Sequence, residues 1–246
     1  MTLANTLLFG FLIGLKHALE ADHVAAVAAL ASESRSIKSA LALGATWGLG
    51  HTITLFIFSS AVLIFDTVIT KQTTFFLEFL VGCMLVFMGG KVIKEIIKKR
   101  IHFHKHSHLD GTTHIHFHSH ADDNIERQSK LHEHSHQKNF SIQALMVGMM
   151  HGIAGSTALI ILTLDSVSTI QTRLVYILLF GFGTLIGMSL LSLMITIPLR
   201  KSKYTTKYTY LSLKAFIGLG TLFLGMTIMY ETSINNGLLV YSFVLN

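Results

Sequence analysis

Charge is scarce in this chain. Only 13% of its 246 residues are Asp, Glu, Lys or Arg, against a hydrophobic share of 51% and a mean hydropathy of +0.57. A soluble domain carries about 25% charged residues, so the shortage points to a membrane protein. Cysteine is almost missing as well. Cys83 stands alone in an apolar run, which excludes an internal disulfide and leaves the redox compartment unmarked. With no clustered Cys/Met set, a Cu(I) pathway is disfavoured. No G-x-x-x-x-G-K-[ST] run occurs, so the chain has no phosphate loop of its own for hydrolysing ATP. The N-terminus does not read as a signal peptide, because its apolar run is too long and carries Lys16 and an acidic–histidine group.

What the chain does have is long apolar runs. Roughly twenty apolar residues cross a bilayer, and six segments qualify, approximately 3–30, 39–65, 74–93, 141–164, 173–199 and 211–230. In lipid the backbone must satisfy its own hydrogen bonds, so these segments are expected to be helices. The tail 237–246 is too short to span. The net charge of +6 comes from three connections. Arg35 and Lys38 follow the first span; Lys94, Lys98, Lys99, Arg100, Lys105, Arg127, Lys130 and Lys138 lie between the third and fourth; Arg200, Lys201, Lys203 and Lys207 follow the fifth. The opposite side carries Lys71 and Arg173. Basic residues stay cytoplasmic, so the expected location is a cell (cytoplasmic) membrane, with these connections inside and both termini outside. Topology accounts for the basic balance, and no nucleic acid is expected as a partner.

The two halves of the chain match. Gly14-Leu-Lys-His17 aligns with Gly148-Met-Met-His151, and Gly48-Leu-Gly50-His51 with Gly181-Phe-Gly183-Thr184. Gly82 and Gly89 align with Gly218 and Gly225 at the same spacing, Glu78 and Lys214 each preceding the first glycine. Halves with an odd number of spans must be inverted in the bilayer, and inverted repeats with a mid-membrane site are a transporter architecture. The expected fold is therefore an all-α membrane protein of six transmembrane helices in a 3+3 inverted repeat. Residues 1–97 form the first three-helix repeat, 98–140 a His-rich cytoplasmic connection, and 141–246 the second repeat. Glu78 and Lys214, near span ends, are expected to reach water.

The connection holds His102, His104, His106, His108, His114, His116, His118, His120, His132, His134 and His136. Such a tract reads as a metal-collecting loop, disordered when empty. Imidazole suits zinc, copper, nickel and cobalt, so the tract indicates a transition metal without selecting one. His132-Glu133-His134-Ser135-His136 also fits H-E-x-x-H. Where alternate residues are histidine that match comes easily, and a zinc protease needs an ordered helix and a third ligand. No enzyme and no catalytic cofactor are expected.

The chain is organised around a denser group, His17-Ala-Leu-Glu20-Ala-Asp22-His23. Ionisable groups inside a span are costly and mark functional sites. On an ideal helix at roughly 100° per residue, His17, Glu20 and His23 form a stripe about 120° wide, with Asp22 turned away. Local unwinding, which Gly14 makes plausible, lets all four converge on one cation. His51, beside Gly50 and Thr52, joins as a ligand. His151 is a weaker addition, because the small residues after it also serve close helix packing. Ser156 and Thr157 hold the places of Asp22 and His23, so one half carries charged ligands and the other hydroxyls. The competing reading of the cluster is a polar network that locks helices together.

These residues carry a family likeness. His17-Ala-Leu-Glu-Ala-Asp22-His23 resembles the H-x4-D-H signature of the nickel/cobalt permeases, the NiCoT family within the wider NicO group, and Leu49-Gly50-His51-Thr52 is similar to its Leu-Gly-His-Ser signature. The six-span layout is closest to the nickel/cobalt efflux permeases and the urease-associated permease-like proteins. Longer members read Arg-His-Ala-x-Asp-Ala-Asp-His; here Lys16 stands for the arginine, Glu20 for the first aspartate and Thr52 for serine. The resemblance implies a carrier of Ni²⁺ or Co²⁺, with the ion and the lipid bilayer as partners and His17, Asp22, His23 and His51 as ion ligands. Glu20 and His151 are additional candidates; Thr52, Ser156 and Thr157 would support with hydroxyls. The alternatives are a metal sensor or accessory protein for nickel-enzyme maturation, a membrane metalloenzyme, and an exporter of zinc or another divalent metal.

Overall fold

The computed structural model describes residues 3–32, 34, 36–65, 69–100, 103–107, 113–117, 142–155, 169–205 and 207–235. Seven α-helices account for nearly all of them: α1 (Leu3–His17), α2 (Ala21–Ala31), α3 (Ile37–Phe65), α4 (Lys71–Arg100), α5 (Ile142–Gly155), α6 (Ile170–Thr205) and α7 (Lys207–Tyr230), with a π-helical turn at Glu231–Asn235. Among the described residues, α3, α4, α6 and α7 are long and apolar enough to cross a membrane. At 1.5 Å per residue, the 29 residues of α3 reach roughly 43 Å, more than a hydrocarbon core of about 30 Å.

The first apolar run is not one helix. It breaks after His17, where Leu19 N–H bonds Lys16 O at 2.9 Å and Glu20 N–H bonds His17 O at 3.0 Å, tighter than the α-helical ladder. Glu20 is extended (φ −65°, ψ 149°) and α2 restarts behind it. Gly14 does not cause the break; it packs on the backbone of Phe180. Every residue of α2 from Ala26 to Ala31 is buried, four of the six being alanine. Small side chains allow such close helix contact where lipid supplies no hydrophobic drive.

Glycine pairs set the helix crossings. A Cβ built on Gly225 would lie 2.7 Å from the Gly82 carbonyl oxygen, and one on Gly89 the same distance from that of Gly218. In the sequence match Gly82 corresponds to Gly218 and Gly89 to Gly225, so α4 and α7 exchange equivalent contacts. The exchange recurs elsewhere. Gly14 packs on Phe180 and Gly148 on Trp47; Gly183 packs on Phe11 and Gly50 on Leu145; Gly181 packs on Thr52 and Gly48 on Leu185. Hydroxyls tie the same crossings, Thr184 Oγ1 donating to Gly14 O at 3.1 Å and Thr54 Oγ1 to Met149 O at 2.9 Å.

One expectation meets a correction here. Lys214 does not reach water: it is 3% exposed, with its ammonium 2.7 Å from Glu95 Oε2 on α4. A buried ammonium is tolerable only with such a carboxylate beside it. Within the histidine tract, Phe103–Ser107 (β1) and Thr113–Phe117 (β2) form an antiparallel ladder. Its register pairs His104 with His116 and His106 with His114, while Phe103 pairs with Phe117. Alternate residues of a strand face opposite ways, so the four histidine positions share one face of the ladder. The ladder has a physical cause in the period-two alternation of histidine with Phe103, Ile115 and Phe117. His102, His108, His118, His120, His132, His134 and His136 lie outside the described residues, as do Ser156 and Thr157.

Candidate metal centre

The break in the first run puts His17 at the end of α1 and Asp22 and His23 in the first turn of α2. His51 comes from the middle of α3, and His151 from α5. His23, His51 and His151 are buried at 1%, 0% and 2% exposure. One ring nitrogen from each of His17, His23 and His51 lies within 4.8 Å of the others. Ligand atoms of Asp22, His23 and His151 satisfy the same limit. Nitrogens on one tetrahedral ion sit about 3–4 Å apart, so closing on a metal asks for movements of about 1 Å.

The carboxylates orient the rings. Asp22 Oδ1 accepts from the His23 backbone N–H at 2.8 Å and lies 3.0 Å from His23 Nδ1, while Oδ2 is 3.5 Å from His151 Nε2. Glu20 is 57% exposed and holds His17 Nδ1 at 2.8 Å. A carboxylate on one ring nitrogen fixes the imidazole and leaves the other for a metal. Helix ends help: the C-terminal carbonyls of α1 favour a cation, and the N-terminus of α2 favours Asp22.

His17 Nε2, His23 Nε2, both ring nitrogens of His51 and Nδ1 of His151 are buried with no hydrogen-bond partner among the described residues, while His151 Nε2 has only the 3.5 Å approach of Asp22 Oδ2. Each such atom costs about 1–3 kcal/mol, and five together rival the whole stability of an ordinary domain, about 5–15 kcal/mol. The convergence of orphaned imidazoles fits a cation that completes them.

Thr52 commits its hydroxyl to Gly181 O at 2.9 Å, across the contact with α6. Three contributors escaped the sequence reading. Trp47, one turn before His51, lies 5.9 Å from His23 and 5.4 Å from His151 between ring centroids. Phe180, its counterpart in the second half, lies 5.2 Å from the ring of His17. Gly155 closes the cluster: a Cβ there would sit 3.5 Å from His17 Nε2 and 3.9 Å from His51 Cε1. The signal for Trp47 was its i, i+4 spacing from His51, which stacks two residues on one helix face.

No solved structure matches the chain. The urease accessory protein UreH of Bacillus sp. (strain TB-90) is 34% identical over 238 residues, covering 96% of this chain and 95% of that protein. A family model, NicO, described as high-affinity nickel-transport protein, matches residues 3–236, a stretch that runs from α1 through α7 and contains every histidine of the buried cluster. With both signature stretches lying on the helices that build this cluster, the chain belongs to the NicO family.

Proposed function

We propose that the chain carries Ni²⁺ or Co²⁺ across a cell membrane through the buried cluster of His17, Asp22, His23, His51 and His151. The observation that carries this reading is the set of buried, unpartnered imidazole nitrogens at the break between α1 and α2. Discontinuous helices are where transporters place ion sites. Neutral imidazoles favour borderline transition ions over Mg²⁺ or Ca²⁺, and Asp22 offsets part of the ion's charge in a medium that penalises it.

The architecture behind this is six spans in a 3+3 inverted repeat, α1 with α2 forming the first span and α5 beginning the fourth. Exchanged contacts support it, Gly82 on Gly225 and Gly89 on Gly218 above all. Rocking of one three-helix unit against the other would alternate access. In this reading the histidine tract faces the cytoplasm and collects ions; the ladder register, with four histidine positions on one face, supports a metal-holding role. Deleting 102–136 reports direction: cells with an exporter accumulate nickel, and cells with an importer do not.

The test is metal flux in reconstituted vesicles across nickel, cobalt and zinc, comparing wild type with His23→Ala. Nickel or cobalt flux lost in the variant supports the reading. Binding without flux in the wild type makes the chain a sensor or accessory protein instead.

A further inference from the structure

The buried cluster divides into two donor sets that meet at one imidazole. His17, His23 and His51 form one; Asp22, His23 and His151 form the other. In each set one donor is half-buried, His17 or Asp22, and the remaining two are buried. Each set therefore has its own partly exposed member through which an ion can enter or leave. His23 belongs to both. Its Nδ1 lies 3.0 Å from Asp22 Oδ1, while Nε2, on another corner of the ring, is buried without a hydrogen-bond partner among the described residues. Its ring centroid stands 4.6 Å from His17, 5.3 Å from His51 and 4.8 Å from His151.

Resting on the transport reading above, we propose that the centre is two adjoining metal stations that share His23 as their common residue, one ring nitrogen serving each. The first station offers three imidazoles and no charge, and selects borderline first-row divalent ions from hard cations. The second replaces two imidazoles by Asp22 and His151, and offsets one unit of the ion's charge. Passage is ligand substitution: bonds to His17 and His51 break as bonds to Asp22 and His151 form. No electron changes hands, and a proton moves only on His23, whose N–H shifts to the ring nitrogen that the ion leaves. The ion never loses all its ligands in lipid, so no step carries the full cost of an unligated charge. Conduction also demands sites that release what they bind, and two linked stations of unequal charge meet that demand better than one saturated centre.

Trp47 is the chain's only tryptophan and touches both His23 and His151, so its fluorescence reads the stations without interference from another indole. The experiment titrates the full chain in detergent with Co²⁺, measures Trp47 quenching, and measures cobalt flux in vesicles. The variants are His51→Ala, His151→Ala and His23→Ala, with His51→Gln and His151→Gln as gentler replacements and circular dichroism to establish folding. The expected result is saturable quenching in both the His51 and the His151 variants, each through the station left intact. Their affinity falls by more than the about 10–100-fold cost of losing an outer hydrogen-bond partner, and flux is lost in both. His23→Ala loses quenching altogether. Complete loss of quenching in the folded His51 and His151 variants alike means one indivisible centre and overturns the two-station proposal, leaving the transport reading intact. Unchanged quenching and flux in all variants overturns both. The divided quenching pattern with no wild-type flux sinks the transport reading alone.

Discussion

The indole of Trp47 lies over the imidazole of His23, with ring centroids 5.9 Å apart and planes 20° from parallel. A paramagnetic or coloured ion bound at His23 must therefore quench the chain's single tryptophan at contact range. Ni²⁺ and Co²⁺ are expected to quench its emission, while Zn²⁺, with a filled d shell, reverses that quenching by competition. Trp47→Phe keeps the stacking and is expected to hold flux within about twofold; Trp47→Ala, as a large-to-small change in a packed site, costs about 3–5 kcal/mol of stability. A fluorescence titration and a thermal melt check both.

Gly155 gives a steric test of the same space. A Cβ at that position meets His17 Nε2 at 3.5 Å, ordinary van der Waals contact, with 3.7 Å to Cε1. Gly155→Ala is therefore expected to fold normally and bind cobalt more weakly. Gly155→Val adds two methyls against the unpartnered nitrogen and is expected to abolish cobalt quenching of Trp47. Full quenching in the valine variant shows that the ion does not use this side of His17.

Sequence reasoning reached the ionisable residues that the fold brings together because charge in an apolar run stands out. His17, Asp22, His23 and His51 needed only that contrast, and the helical angle of Asp22 made local unwinding the way for all four to converge. Gly14, which made unwinding plausible, serves close packing here, because it admits the backbone of Phe180. Trp47 and Phe180 were missed since aromatic residues in an apolar helix carry no contrast. Lys214 was misjudged because its partner lies 119 residues away in sequence, on a helix whose register only packing decides. The paired strands of the tract followed from alternation, but the density of histidine masked the apolar residues between.

The pair of Lys214 and Glu95 yields an asymmetric prediction. Their side chains are 4% and 31% exposed. Removing one partner of a buried pair costs about 3–5 kcal/mol because the other charge is stranded. Glu95→Gln strands the buried ammonium and is expected to approach that figure. Lys214→Met leaves a partly wetted carboxylate and is expected to cost about 1–2 kcal/mol. Thermal unfolding in detergent measures both. Equal effects mean that the ion pair does not hold α4 to α7.

The account stands on a divalent ion held by imidazoles inside the helix bundle, apart from the histidine tract. X-ray absorption at the nickel edge, on nickel-loaded full-length chain and on a variant with every histidine from 102 to 136 changed to alanine, addresses this most directly. The account predicts that imidazole nitrogens at about 2.0–2.1 Å remain around nickel in the variant, and that they vanish when His23→Ala is added. A nickel shell that turns wholly to water and carboxylate oxygen once the tract histidines are gone would contradict it.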